Sequence, residues 1–136
     1  MIPAWLGVWT LTSILSATTS SPDTAPRYYT RITRNIQSSA SGVTIVDDLV
    51  RVRGGVVHQE WTGKIDGNDY AVQGLEVYLT SAYRQVDDHT LELTQKLDGR
   101  VVVRARMVLS ADGQTITTTT TDGITTTTTV YRKRPT

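Results

Sequence analysis

The chain contains no cysteine. That excludes disulfides, thiolate metal centres and a cysteine nucleophile. It has only two histidines, His58 and His89, too few and too far apart for a metal site. Blocks of like charge are missing as well. Lys and Arg number 14 against 13 Asp and Glu, and a nearly neutral chain argues against nucleic acid as the main partner, because phosphate binding needs a basic surface. The nearest approach to a charge run is "YRKRP" at 131–135, which reads as a solvated tail that keeps a last strand from pairing onward. No apolar run is long enough to span a bilayer. "MIPAWLGVWTLTSILSATTS" is apolar, but no Lys or Arg precedes its apolar part and Gly7, Thr10 and Thr12 interrupt it, so a signal peptide is not expected. No phosphate loop and no Ser-His-Asp ordering stands out, and neither cofactor nor metal is expected. What remains is a soluble, cytoplasmic protein whose 136 residues form one domain, 1–136, long enough to bury a core.

Helical periodicity is also lacking. After residue 20 no apolar period of 3.6 is visible, and alternation and turn signals take its place. Strands are predicted at 8–13, 27–34, 43–52, 56–65, 70–73, 77–85, 89–96, 101–109, 115–121 and 124–132. The breaks carry turn chemistry: "RGG", "DGND", "DD", "LDG", "ADG" and "TDG", where glycine takes the positive φ of a tight hairpin. Short loops make antiparallel neighbours. A meander of about 8–10 strands has two edges to hide, and closure removes them. The expected fold is therefore all-β, a single antiparallel up-and-down barrel with little or no helix; a two-sheet sandwich is the competing architecture.

What the sequence has in abundance is threonine. "TITTTTTDGITTTTTV", Thr115 to Val130, holds eleven threonines in sixteen residues. Threonine is β-branched and suits a pleated surface, and cross-strand Thr–Thr pairs add about 0.2–1 kcal/mol each. That explains why the residue is tolerated, but not the missing alternation. A strand packed on a dry core shows apolar residues on one face. Here both faces are threonine on two adjacent strands, so one hydroxyl-and-methyl wall faces the lumen. Such a lumen suits water or an amphipathic guest.

Treating each x-Asp-Gly as a three-residue loop fixes the faces by arithmetic. Leu93 then faces Val103, Leu91 faces Ala105, Met107 faces Thr117, and Thr117 faces Thr127, with Thr129 and Tyr131 following on the same face. This is the predicted lumen wall, around a cavity on the order of a few hundred Å³. A loop one residue longer or shorter would flip every side chain beyond it.

"GVWTL" at 7–11 opens the first strand with Gly-x-Trp. This resembles the signature shared by lipocalins and intracellular fatty-acid-binding proteins, the calycin group. "WTGKIDGNDYAVQG" at 61–74, with "RQVDDHTLEL", "KLDGRVV" and "SADGQTIT", is similar to segments of small bacterial lipocalin-like proteins. The resemblance covers about residues 4 to 133 and implies a calycin barrel. By position it places Trp9 as a plug at the closed end, and Tyr131 as the tyrosine of the Arg-x-Tyr pair that holds a fatty-acid carboxylate. Thr129 stands where that arginine would be. No helical lid is expected, since only "SATTSSPDTAP", 16–26, separates the first two strands.

The ligand-binding candidates are Trp61, Tyr83, Arg84, Leu91, Leu93, Met107, Thr117, Thr127, Thr129 and Tyr131. Aromatic rings suit an apolar guest, though each also suits an ordinary barrel core. Arg84 enters the lumen if the "VDDH" turn has two or four residues, where it could hold an anionic head group; with three it is solvated and Tyr83 turns inward. Of the acidic pairs, Asp47-Asp48 point to opposite faces and cannot act jointly, Asp48 pointing inward would be a lone base, and Asp87-Asp88 reads as a turn. His89 shares the parity of Leu91 and is placed at the rim. The reading is a binder of a hydrophobic or amphipathic small molecule, monomeric or homodimeric. The alternative is a cofactor-independent cyclase or isomerase of the same shape.

Overall fold

The computed structural model describes residues 1–18 and 29–135. Ten strands follow one another: β1 (Gly7–Thr18), β2 (Tyr29–Ser39), β3 (Gly42–Arg51), β4 (Val56–Gly63), β5 (Tyr70–Gln73), β6 (Leu79–Asp87), β7 (Thr90–Leu97), β8 (Arg100–Leu109), β9 (Thr115–Thr121) and β10 (Thr125–Lys133). Each pairs antiparallel with the next, and β10 returns to β1, so the sheet is a closed barrel. The only helical element among the described residues is one 3-10 turn, Pro3–Trp5. The predicted fold class and strand count match this structure. The connection at 16–26 falls largely on residues 19–28, outside the described residues.

The hairpin loops depart from the uniform three-residue assumption, and each departure has a local cause. At "LDG" the loop has two residues. Asp98 and Gly99 take φ of 49° and 83°, the paired positive values of a type I′ turn. A bulge between Gln95 and Lys96 then compensates, so Leu93 faces Ala105 and Leu91 faces Met107. The partners differ from expectation but the face does not. At "ADG" the Ser110 N–H bonds to Thr115 O at 2.9 Å, and Ser110 Oγ and Asp112 Oδ1 accept the Gln114 N–H at 3.2 and 3.1 Å. The longer loop slides β9 by one residue. At "TDG", Asp122 Oδ1 accepts from Ile124 N and Thr125 N at 2.9 and 2.8 Å, and Thr121 pairs with Thr126. This second slip cancels the first.

The barrel has two unlike ends. Where β1 starts and β10 finishes it is sealed. Trp5 and Trp9 are fully buried there, beside Ile36, Leu109 and Ile116. Trp9 Nε1 donates to Trp5 O at 3.0 Å, and Trp5 Nε1 to Asp88 O at 2.9 Å in the β6–β7 turn. Lys133 Nζ donates to Ala4 O at 2.8 Å and lies 5.0 Å from the centre of the Trp9 ring. The 3-10 turn is thus a stopper, hydrogen-bonded at both indoles, and Trp9 stands at the closed end as the resemblance implied. Toward the opposite end the inward-facing threonines Thr120, Thr127 and Thr129 are only half-buried, so water reaches the inner wall there.

Candidate functional site

Inward positions recur at every second residue of each strand. On β2 they are Ile32, Arg34 and Ile36, and on β3 Val43, Ile45, Asp47 and Leu49, matched across the register Ile36↔Ile45 and Arg34↔Asp47. An arginine and an aspartate therefore face each other inside the barrel. Arg34 Nε donates to Asp47 Oδ1 at 2.8 Å and Nη2 to Oδ2 at 3.3 Å, a bidentate pair. Gln59, opposite Asp47 on β4, donates from Nε2 to Asp47 Oδ2 at 3.3 Å. The Arg34 guanidinium lies 5.2 Å from the centre of the Tyr131 ring. Burial is the largest single influence and works against the Arg34 charge, but the Asp47 carboxylate together with Tyr131 and Tyr83 holds the guanidinium protonated above its ordinary range.

Beside this pair stand the aromatic residues. Trp61 packs edge-on against Tyr83 at 4.7 Å and against Tyr70 at 5.7 Å, the preferred arrangement of ring quadrupoles. Trp61 Nε1 donates to Ser81 O at 3.0 Å, and Gln95 Nε2 donates to Ser81 Oγ at 3.2 Å. Burial pushes the Tyr83 phenol up to about 12, with nearby Arg34 pulling the other way. Tyr131 is raised for the same first reason.

These side chains enclose a cavity of about 40 Å³ lined by Arg34, Asp47, Gln59, Ser81, Tyr83 and Gln95 among others. This is far below the expected few hundred Å³, because Trp61, Tyr83, Leu93 and Met107 fill the middle of the lumen. Two larger hollows, about 230 and 280 Å³, lie on the outer wall around Arg104 and are open to solvent. Apart from Val103, which pairs with the inward Gln95, they are lined by outward-facing or loop residues, whereas the small inner cavity carries the buried polar groups and is the better candidate.

Of the ten candidates, eight point inward. Trp61, Tyr83, Leu91, Leu93, Met107 and Tyr131 are buried, and Thr127 and Thr129 are half-buried on the inner wall, opposite Thr120 and Thr118. Two are corrected. Thr117 pairs with Val108 and Val130 on the outer face, because the longer "ADG" loop moves Thr118 inward in its place. Arg84 is outside, ion-paired with Glu92. A two-residue turn closes Asp87 on Thr90, and a bulge before Asp87 restores the parity that puts Tyr83 opposite Leu93. Asp48 faces out beside His58, and Asp47 is the inward member of the pair.

Sequence reading missed Arg34, Gln59, Ser81, Gln95 and Thr118. Alternation did hold the first: Arg34 shares parity with Ile32 and Ile36. Thr118 required the loop length. Its Oγ1 is, among the described residues, the buried side-chain polar atom left without a hydrogen-bond partner. Thr118 is 7% exposed and faces Met107 and Thr129 across the inner wall. No helix of the described residues is long and apolar enough to cross a membrane.

Neither a protein-family model nor a curated protein matches the sequence. Among solved structures, the chain is similar to a crystal structure of a point mutant of the fluorescent protein UnaG, at 16% identity and a TM-score of 0.69 over 100% of both chains. That likeness is one of fold, and the fold is the calycin-type barrel.

Proposed function

We propose that the barrel binds a hydrophobic or amphipathic small molecule in its lumen, as a one-domain cytoplasmic protein. The observation that carries this reading is the inner wall itself. It runs from a sealed indole plug, past a buried Arg34–Asp47–Gln59 cluster, to half-buried threonines at the other end. A barrel built only for stability gains nothing from a buried ion pair, which apolar residues of equal volume usually replace without loss. Nor does it gain from a buried hydroxyl without a partner, which costs about 1–3 kcal/mol. Such groups make sense where a guest supplies the missing partner. The threonine methyls offer apolar contact along the way in, and their hydroxyls exchange partners with water.

The test is titration with the neutral apolar fluorophore N-phenyl-1-naphthylamine, followed by its emission and by quenching of Trp61. Saturable binding is expected. Ala105, buried between Leu93 and Thr120 on the inner wall, offers the probe of place. Ala105→Leu fills the lumen and should weaken binding at least tenfold, while Thr117→Val on the outer wall should leave it unchanged. Equal effects from both would put the fluorophore on the surface and end the proposal. Ligand recovered unchanged marks a carrier; conversion during incubation would make the same lumen a catalyst's.

A further inference from the structure

We infer that the inner cavity takes a neutral polar head group, one that both donates and accepts hydrogen bonds, such as a carboxamide, and discriminates against carboxylates. The inference rests on the lumen-binding reading above and adds the chemistry of the head group. Arg34 is the only cation among the described residues that lines this cavity. It is already matched. Its Nε and Nη2 hold both oxygens of Asp47 at 2.8 and 3.3 Å, so the pair presents no net charge to a guest. Lys133, at the sealed end, is held in the plug by Ala4 O and the Trp9 ring.

A carboxylate brought into this cavity would be a second anion beside Asp47, with one guanidinium between them. It would lose its hydration without gaining a counter-charge, and like charges at close range disfavour one another's ionised forms. A neutral amide meets no such penalty. Its carbonyl can accept from the Arg34 guanidinium or from the side-chain amides of Gln59 and Gln95, and its N–H groups can donate to Asp47 or to the amide oxygens of those glutamines. The size agrees. A space of about 40 Å³ is about three times the roughly 10–15 Å³ of cavity that one water needs, enough for a head group of two or three heavy atoms but not for a ring. The tail would extend toward the half-buried threonines, past the unpartnered Thr118 hydroxyl.

The experiment compares two probes of equal chain length, dodecanamide and dodecanoate, as competitors of N-phenyl-1-naphthylamine at pH 7.5 and below their aggregation concentrations. The amide should displace the fluorophore at a concentration at least tenfold lower than the acid. In Asp47→Asn, which leaves Arg34 unmatched, the acid should gain at least tenfold relative to its value in the parent. The parent comparison needs no variant, so it decides the matter even where Asp47→Asn fails to fold. Equal potency of the two probes, or a preference for the acid, overturns the inference. So does a fluorophore that is bound in the lumen, by the Ala105→Leu criterion, and displaced by neither. A fluorophore that never binds overturns the lumen-binding reading instead.

Discussion

Arg34 and Asp47 are each a liability without the other. Their side chains are 16% and 9% exposed, so removing one leaves a charge in a place where water cannot solvate it. Arg34→Met should therefore cost about 3–5 kcal/mol of unfolding free energy. The double variant Arg34→Met, Asp47→Leu should recover most of that loss, because neither charge remains. Urea unfolding of the three proteins measures it, and a double variant no better than the single would mean the pair itself stabilises the barrel. Tyr83 supplies a second check on the same polar centre, where Arg34, Asp47 and Tyr131 face it. Its phenol titrates at about 12 when folded and at about 10 when unfolded. A pKa raised by folding means the native state holds its proton more tightly. The corresponding stability is fully present below pH 10 and is lost as pH rises through 12. The loss should be roughly 2–3 kcal/mol. Tyr83→Phe should flatten the decline in unfolding free energy over that window, leaving the smaller contribution of Tyr131. An unchanged pH slope in the variant would place Tyr83 in contact with solvent.

At the scale of strands, existence and order were legible, and register was not. Val43–Ile45 and Leu91–Leu93 alternate strongly enough to mark their inner faces without any knowledge of loops. The threonine hairpin carries no such mark, since either face is threonine. Its placement rests on hairpin loops set by side-chain hydrogen bonds of Ser110, Asp112 and Asp122, which pattern reading counts only as turn formers. Two slips cancelled, so Thr127, Thr129 and Tyr131 kept the inner face, while Thr117, lying between the slips, lost it. Arg34 is legible in its shared parity with Ile32 and Ile36, but a charged residue on an inner face runs against the rule that the face is apolar. The register makes a sharp prediction. Thr118→Val replaces a buried hydroxyl that has no partner with a methyl of similar shape, and should stabilise the ligand-free protein by about 1–2 kcal/mol. Thr117→Val, one residue away on the outer wall, should change stability by less than about 0.5 kcal/mol. Thermal unfolding of both variants decides; a larger effect at Thr117 would mean that β9 sits with its other face inward.

For the whole molecule, the difference between the two ends sets where the barrel can open. Pairing of β1 with β2 runs only from Gly7↔Ile36 to Thr10↔Thr33. Beyond it β1 bulges between Leu11 and Ser13 and continues against β10 alone, while β2 continues to Tyr29 against β3 alone. In an antiparallel sheet the backbone groups of a strand point alternately to its two neighbours. Every second amide of 13–18 and of 29–32 therefore points at a seam that no described strand fills. At the sealed end β1 pairs with both β2 and β10, and the indoles tie the 3-10 turn to the β6–β7 loop. Opening then begins at the seam, beside the half-buried threonines, and leaves the indole plug intact. Hydrogen exchange read at single amides should show alternating fast and slow positions along 13–18 and 29–32. Amides of Gly7–Thr10 and Thr33–Ile36 should exchange only with global unfolding. A guest seated in the lumen would hold the two strands together, so the fast amides should slow when the fluorophore saturates, in proportion to its occupancy. Uniform protection along all four segments in the free protein would show the seam to be closed by another part of the chain, and the way into the lumen would have to lie elsewhere on the rim.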